Sequence, residues 1–266
     1  MFKKILIVYS EKLTKKHLET VEKVKKMLNE KICCEVRADH LAEENFKDID
    51  LVITIGGDGA FIRASQFLEN QLIIGINSEP EFSEGALTSI DETELDFLNK
   101  ILEGKYNILK RERIKVKLNN KELKELALNE IYVGSAAQFH TSRYLIKFNG
   151  KEEEQRSSGV LITTSCGSNA WFKSAGGTPF NEKDKLKFLV REPYFGNKVF
   201  KPKILTGEIK KGEKIEFEGK RHNGGIVAIN ADKIYDFNLN DKVEVELSDR
   251  PLNVIVKNTI NNHINL

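Results

Sequence analysis

The chain has 266 residues, 40% hydrophobic and 31% charged, enough apolar material for a packed core and the wrong balance for a disordered chain. Its 42 Lys and Arg against 40 Asp and Glu leave a formal charge of +2, which excludes a global field of the kind that gathers nucleic acid or anionic membrane. No apolar run approaches the roughly 20 residues of a membrane-spanning helix, and the three cysteines, Cys33, Cys34 and Cys166, have neither the number nor the spacing of a disulfide framework or zinc site.

Lys3-Lys4 leads straight into the strand-like Ile5-Leu6-Ile7-Val8-Tyr9 with no cleavable presequence, so a cytoplasmic protein is expected. Leu18, Val21, Val24 and Leu28 fall at helical spacing among lysines and glutamates and predict an amphipathic helix. Cys33 to Val36 is a second strand. Leu51-Val52-Ile53-Thr54-Ile55 is nearly continuous and β-branched, as a strand covered on both faces requires. It ends at Gly56-Gly57-Asp58-Gly59, after which Phe61 to Leu68 reads as a helix and Leu72 to Ile76 as the next buried strand.

From about Ile108 the texture changes. Arg113 to Leu118 alternates charged and apolar residues, and short stretches of the same kind recur at Ile131–Val133, Tyr144–Phe148, Val160–Thr163, Lys214–Phe217, Ile226–Ile229 and Val243–Leu247. The expectation is an α/β domain over residues 1–107 with a parallel sheet, then an all-β domain over 108–249, with a cleft between domains as the default ligand site. The five histidines, His17, His40, His140, His222 and His263, form no i, i+4 metal pair and read as surface or capping side chains.

Three constellations could carry chemistry. A glycine turn between a central strand and a helix puts backbone N–H groups and a helix N-terminus at the carboxyl edge of a sheet, where anions bind. Asp58 within it would repel phosphate, so a second role is needed to explain its presence, either accepting a proton from an attacking hydroxyl or holding Mg²⁺. The bland alternative is that Asp58 caps the following helix. The spacing matches neither G-x-G-x-x-G nor the P-loop. Asn129-Glu130 lies between the apolar runs Leu126-Ala127-Leu128 and Ile131-Tyr132-Val133, where two polar groups need partners. A vicinal diol, as on a ribose, suits an amide beside a carboxylate, and so does a plain strand start at a domain edge. The third is the hydroxyl- and glycine-rich run from Ser157 to Trp171, closed by Ser174-Ala175-Gly176-Gly177, in which a strand enters a polar loop and leaves as a helix whose first turn includes Asn169, Ala170 and Trp171. Cys166 has no histidine at a recognisable spacing and reads as a spectator.

In order, these pieces resemble the NAD kinase family over roughly residues 50 to 260. The segment Gly75-Ile76-Asn77-Ser78-Glu79-Pro80, running into Ser83-Glu84-Gly85, together with Ser157-Ser158-Gly159 and Gly167-Ser168-Asn169-Ala170-Trp171, is most similar to the mitochondrial-type (NAD/NADH kinase) branch. The resemblance implies a Rossmann-like N-terminal domain, a C-terminal β-sandwich domain that binds the dinucleotide, and a tail, about 250–266, that returns to the first domain. It implies Asp58 as the base for the 2′-hydroxyl of the adenosine ribose, Gly57 and Gly59 leaving room for phosphates, and Arg63 meeting them. Asn129 and Glu130 would hold that ribose, and Asn77, Ser158, Gly167, Ser168, Asn169, Ala170, Trp171 and Ser174 would line the dinucleotide site. It further implies ATP or polyphosphate as donor, Mg²⁺ or another divalent cation, NAD or NADH as acceptor, and a homo-oligomer, dimer or tetramer, with no nucleic-acid or membrane partner. Departures are Ala60, where threonine is usual, Ser165-Cys166, and Asn230-Ala231, where Asp-Gly is common. A non-catalytic NAD(P)-binding sensor, and a lipid kinase of the diacylglycerol or sphingosine type, are the alternatives.

Overall fold

The computed structural model describes residues 2–12, 14–137, 139–230 and 232–257. The expected tail residues 258–266, with His263, and Ala231 of the Asn230-Ala231 departure lie outside the described residues, as does the side chain of Cys33. The described residues divide into two compact units, one formed by those up to 111 with 252–257 and the other by those from 112 to 251.

The first unit is a mostly parallel sheet. Strands β1 (Ile5–Tyr9), β2 (Ile32–Arg37), β3 (Leu51–Gly56) and β4 (Leu72–Asn77) lie in the order β2, β1, β3, β4. The strand Leu252–Val256 runs parallel to β4 and antiparallel to β6 (Asn107–Arg111), while the short β5 (Ile90–Asp91) also pairs with β4. β6 thus belongs to the first sheet, four residues beyond the expected boundary at 107. β1 and β3 are apolar on both faces because helices cover them, and Ile5, Ile7, Ile53 and Ile55 are wholly buried.

Helix α1 (Lys15–Leu28) starts at Thr14, whose side chain accepts the His17 N–H, and buries His17, Thr20, Val21, Val24 and Leu28. Leu18, expected on the apolar face, is 45% exposed, and the buried stripe begins one residue earlier at His17. A fully buried imidazole is tolerable only with partners on both nitrogens, and His17 has them, which corrects its reading as a surface or capping residue. Helix α2 is Asp58–Ser65, not Phe61 to Leu68, so Asp58 occupies its first position.

The second unit holds two six-stranded antiparallel sheets. One runs Lys151–Ser157, Ser142–Phe148, Lys214–Gly219, Lys242–Leu247, Ile114–Leu118, Lys121–Glu122, and the other Thr206–Lys210, Lys185–Val190, Val160–Thr163, Glu130–Ser135, Gly225–Ile229, Lys233–Asp236. Alternate residues of both, among them Val116, Ile146 and Val245 from one and Val133, Ile162 and Phe188 from the other, make one apolar cluster, as a β-sandwich demands. Helix is scarce here. Gly167–Asn169 is a single 3₁₀ turn, and Ala170, at φ −88° and ψ −126°, separates it from the one-turn helix Trp171–Ser174. The expected continuous helix through Asn169, Ala170 and Trp171 is therefore broken at Ala170.

Candidate functional site

In the first unit, β3 ends in Gly56, whose φ of 148° favours glycine, and Gly57 then serves as the N-cap of α2 without a side-chain bond. A Cβ on Gly57 would sit 2.4 Å from the Ser83 Oγ, so the bare backbone there admits the Ser83 loop; at Gly59 the space within 4 Å is open. Asp58 does not cap its helix. Its Oδ1 accepts the Leu87 N–H at 2.8 Å and its Oδ2 the Ala86 N–H at 3.1 Å, which fixes the carboxylate's plane while each oxygen keeps a lone pair for a ligand.

Asn77, at the end of β4, is buried and shapes the segment that supplies those donors. Its Nδ2 donates to the Ser83 carbonyl at 2.8 Å and its Oδ1 accepts the Glu79 N–H at 3.2 Å. Both polar ends of the Asn77 side chain thus act within the protein. Arg63 lies in the last turn of α2, 3.7 Å from Glu11 in a partly exposed ion pair.

In the second unit, Asn129 and Glu130 open the strand Glu130–Ser135. The Asn230 Oδ1 accepts the N–H groups of both Leu128 and Asn129 at 3.0 Å, and the Asn230 N–H donates to the Glu130 carbonyl at 3.0 Å. Thr163 and Thr164 on the adjoining chain bind the carbonyls of Asn129 and Leu128 through their hydroxyls at 3.0 and 2.6 Å. The Asn129 N–H and carbonyl and the Glu130 carbonyl are thereby engaged, yet Asn129 Oδ1, Glu130 Oε2 and Asn230 Nδ2 are buried with no hydrogen-bond partner among the described residues. Two acceptors and one donor left unpaired on three residues that bond to one another are costly in a finished core and suit a hydroxyl-bearing ligand. Burial pushes the Glu130 carboxyl up to about 7.

Gly167 touches this pair directly, since a Cβ there would fall 2.4 Å from the Asn129 carbonyl oxygen. The Ser168 hydroxyl is consumed inside the loop, against the Ser165 carbonyl at 2.8 Å and the Phe180 N–H at 3.1 Å, so its side chain shapes the loop rather than facing a ligand. Asn169, Ala170 and Ser174 are exposed. Trp171 stacks on Tyr132 at 5.4 Å between ring centroids, with the Arg191 guanidinium 5.1 Å from its own centroid. Ser158 accepts the Tyr132 hydroxyl on its carbonyl at 3.0 Å and lines a pocket of about 380 Å³ with His140, Thr141, Glu192 and Tyr194.

Sequence reasoning missed Asn230 as the residue that holds Asn129, treating it only as a departure; the two are 101 positions apart, a pairing no local pattern carries. It also missed Arg191, which carries no signal beyond being a basic residue at a strand end. Cys166 is half-buried. Among the described residues, no group of three or more His, Cys, Asp or Glu side chains is placed to hold a metal ion, and no helix is long and apolar enough to cross a membrane.

Residues 3–106 match the model of the ATP-NAD kinase N-terminal domain. The chain is 30% identical over 262 residues to a probable NADH kinase from Oryza sativa subsp. japonica, covering 89% of this chain and 80% of that protein. It is 29% identical over 268 residues to an NAD kinase from Fusobacterium nucleatum, covering 95% and 91%. Two solved structures share the fold: an NAD kinase from Archaeoglobus fulgidus in complex with ATP, at a TM-score of 0.72 and 24% identity over 94% of this chain and 92% of that one, and yeast NADH kinase complexed with NADH, at 0.79 and 14% over 97% and 84%. An α/β unit with the Gly-Gly-Asp-Gly turn, an antiparallel unit with the Asn129–Glu130 pair, and relatives aligned along nearly the whole length make this chain a member of the NAD kinase family.

Proposed function

We propose that this chain phosphorylates the 2′-hydroxyl of the adenosine ribose of NAD or NADH, with ATP as donor, giving NADP or NADPH. One observation carries the reading: the buried atoms left unpaired at Asn129, Glu130 and Asn230, two acceptors and a donor, match the hydroxyls of a ribose. A sandwich that needed no ligand would have filled them with protein.

Asn129 and Glu130 hold the ribose, Asp58 takes the proton of the attacking hydroxyl, and the open backbone at Gly59 with Arg63 meets phosphate. Asn77 shapes the Asp58 loop. Trp171 and its neighbours Ser158, Gly167, Asn169, Ala170 and Ser174 line the dinucleotide. Phosphoryl transfer asks for alignment and charge neutralisation rather than covalent help, so a fixed carboxylate and a fixed ribose are the contributions a protein can make. A divalent cation, Mg²⁺ by preference, would come with the donor's phosphates and neutralise their charge there. We propose further that the protein works as a homo-oligomer in the cytoplasm.

The test is incubation with NAD or NADH, ATP or polyphosphate, and Mg²⁺, followed by separation of products. The expected outcome is a 2′-phosphorylated dinucleotide that depends on donor. Tight dinucleotide binding with no such product under any donor would sink the enzymatic reading in favour of a sensor.

A further inference from the structure

The carboxylate of Asp58 is oriented by the backbone of Ala86 and Leu87, so its position is only as good as that of the segment carrying those two N–H groups. That segment leaves β4 at Asn77 and has no strand partner until Ile90. An irregular stretch of this length has no ladder of its own and would wander unless side chains held it.

Side chains from β1's end and from α1 do hold it, and at its first turn. His17, wholly buried, places Nδ1 2.8 Å from the Ser78 Oγ and Nε2 3.2 Å from the Ser10 carbonyl. A carbonyl can only accept, so Nε2 carries the proton and Nδ1 accepts the Ser78 hydroxyl. Glu79, 4% exposed, takes the Thr14 hydroxyl on Oε1 at 2.6 Å and the Lys12 ammonium near Oε2 at 2.7 Å. The same N-cap that starts α1 therefore also grips the segment. Glu79 is in turn the acceptor of the turn that follows, its carbonyl taking the N–H groups of Phe82 and Ser83 at 3.0 Å. Asn77 then closes on the Ser83 carbonyl, and Thr88 Oγ1 on the Gly85 carbonyl at 2.8 Å, delivering Ala86 and Leu87 to Asp58. From His17 to Asp58 the chain of contacts is unbroken.

We propose that His17 and Glu79 are positioning residues for Asp58, acting through the Ser78–Leu87 segment that they anchor to α1. This rests on the reading of Asp58 as the proton acceptor. Both are buried and bonded to protein groups, which leaves the proton transfer to Asp58. A metal site is excluded by the bonds already described, which leave His17 and Glu79 committed to protein partners, and a purely solvating role is excluded by their burial. The consequence is kinetic: a carboxylate displaced by about 1 Å loses on the order of a hundredfold in rate without altering how the substrates are held elsewhere.

The experiment compares Glu79→Ala, Glu79→Gln, Ser78→Ala and Asp58→Asn in steady-state turnover with NADH and ATP, together with hydrogen–deuterium exchange over residues 84–90. Glu79→Ala is expected to lower kcat about 10- to 100-fold with both KM values within about threefold. Glu79→Gln, which keeps an oxygen for Thr14, should recover part of the loss. Exchange at Ala86 and Leu87 should quicken while β1 and β3 stay protected. If Glu79→Ala does not fold, Ser78→Ala, which deletes only the hydroxyl facing His17, carries the same expectation at about 3- to 10-fold. A folded variant with kcat within about twofold of the parent, or a loss confined to KM, overturns the proposal. Asp58→Asn separates the two readings: turnover kept there sinks the base assignment and this proposal with it, whereas turnover lost there by about a hundredfold or more, but kept in Glu79→Ala, sinks the positioning role alone.

Discussion

Glu130, proposed above to hold the ribose, can be tested through pH. Its folded value of about 7 lies above the ordinary 4.5 because burial penalises the charged form. The unfolded chain therefore gives up this proton first. Its effect on stability is nil below about pH 4.5, grows as pH rises toward 7, and stays constant above that at about 3 kcal/mol of destabilisation at most. Glu130→Gln removes the ionisation, so melting curves of the variant and parent should agree near pH 4.5 and separate by several degrees in the variant's favour at pH 8. The same change deletes a charged acceptor for a ribose hydroxyl, worth about 1.5–3 kcal/mol, and KM for the dinucleotide at pH 8 should rise roughly 10- to 100-fold. A variant that gains no stability at pH 8 contradicts the burial argument; one that gains stability and keeps its KM contradicts the ligand argument.

At the scale of elements, the glycine–serine loop works by close approach. Gly167 lies against the Asn129 backbone, its missing Cβ 2.4 Å from a carbonyl oxygen, and its N–H donates to the Thr164 Oγ1 at 3.1 Å. Gly167→Ala must push backbone from backbone, a strain of about 1–3 kcal/mol. Calorimetry should show a loss of several degrees, and the dinucleotide KM should rise about tenfold or more as Asn129 shifts; an unchanged KM would detach the loop from the subsite. The residues that signal these elements do so unevenly. Ile5–Tyr9, Leu51–Ile55 and Leu72–Ile76 are legible because a strand covered on both faces must be apolar throughout. The alternation of the sandwich strands is legible for the opposite reason, one face being wet. α1 misleads at its start, since hydropathy favours Leu18 while the fold buries His17, whose partners Ser10 and Ser78 lie on other elements. The helix at Trp171 is expected from the sequence, but its start there is not, because nothing local marks the break at Ala170. In the candidate site, Asp58, Asn129 and Glu130 stand out as polar residues at the ends of apolar runs. What holds them, Asn230 in one unit and Leu87 in the other, is fixed by contacts far apart in sequence.

At the scale of the whole molecule, the chain returns. The strand Leu252–Val256 lies between β4 and β6, pairing Asn253 with Leu72 on one side and Leu252 with Arg111 on the other. Leu252, Val254 and Ile255 are 0–1% exposed, and burying three such side chains contributes about 5–9 kcal/mol, comparable to the whole stability of a domain. β6 has no other strand neighbour among the described residues. A fragment ending at Arg111 is therefore expected to lack a cooperative unfolding transition. Because Arg111 and Leu252 face each other across an antiparallel pair, they occupy the two ends of what would be an ordinary hairpin, and a two-residue Asn-Gly turn is enough to join them. The chain 2–111 closed by that turn onto 252–257 should unfold in a single sigmoidal step in urea, monitored by circular dichroism, where the fragment without the returning strand does not. If both fragments unfold alike, the last strand is dispensable. If only the closed one folds, residues 112–251 are an insertion into a hairpin of an otherwise self-sufficient parallel-sheet unit, and the Asp58 turn can be studied in a protein that lacks Asn129 and Glu130 altogether.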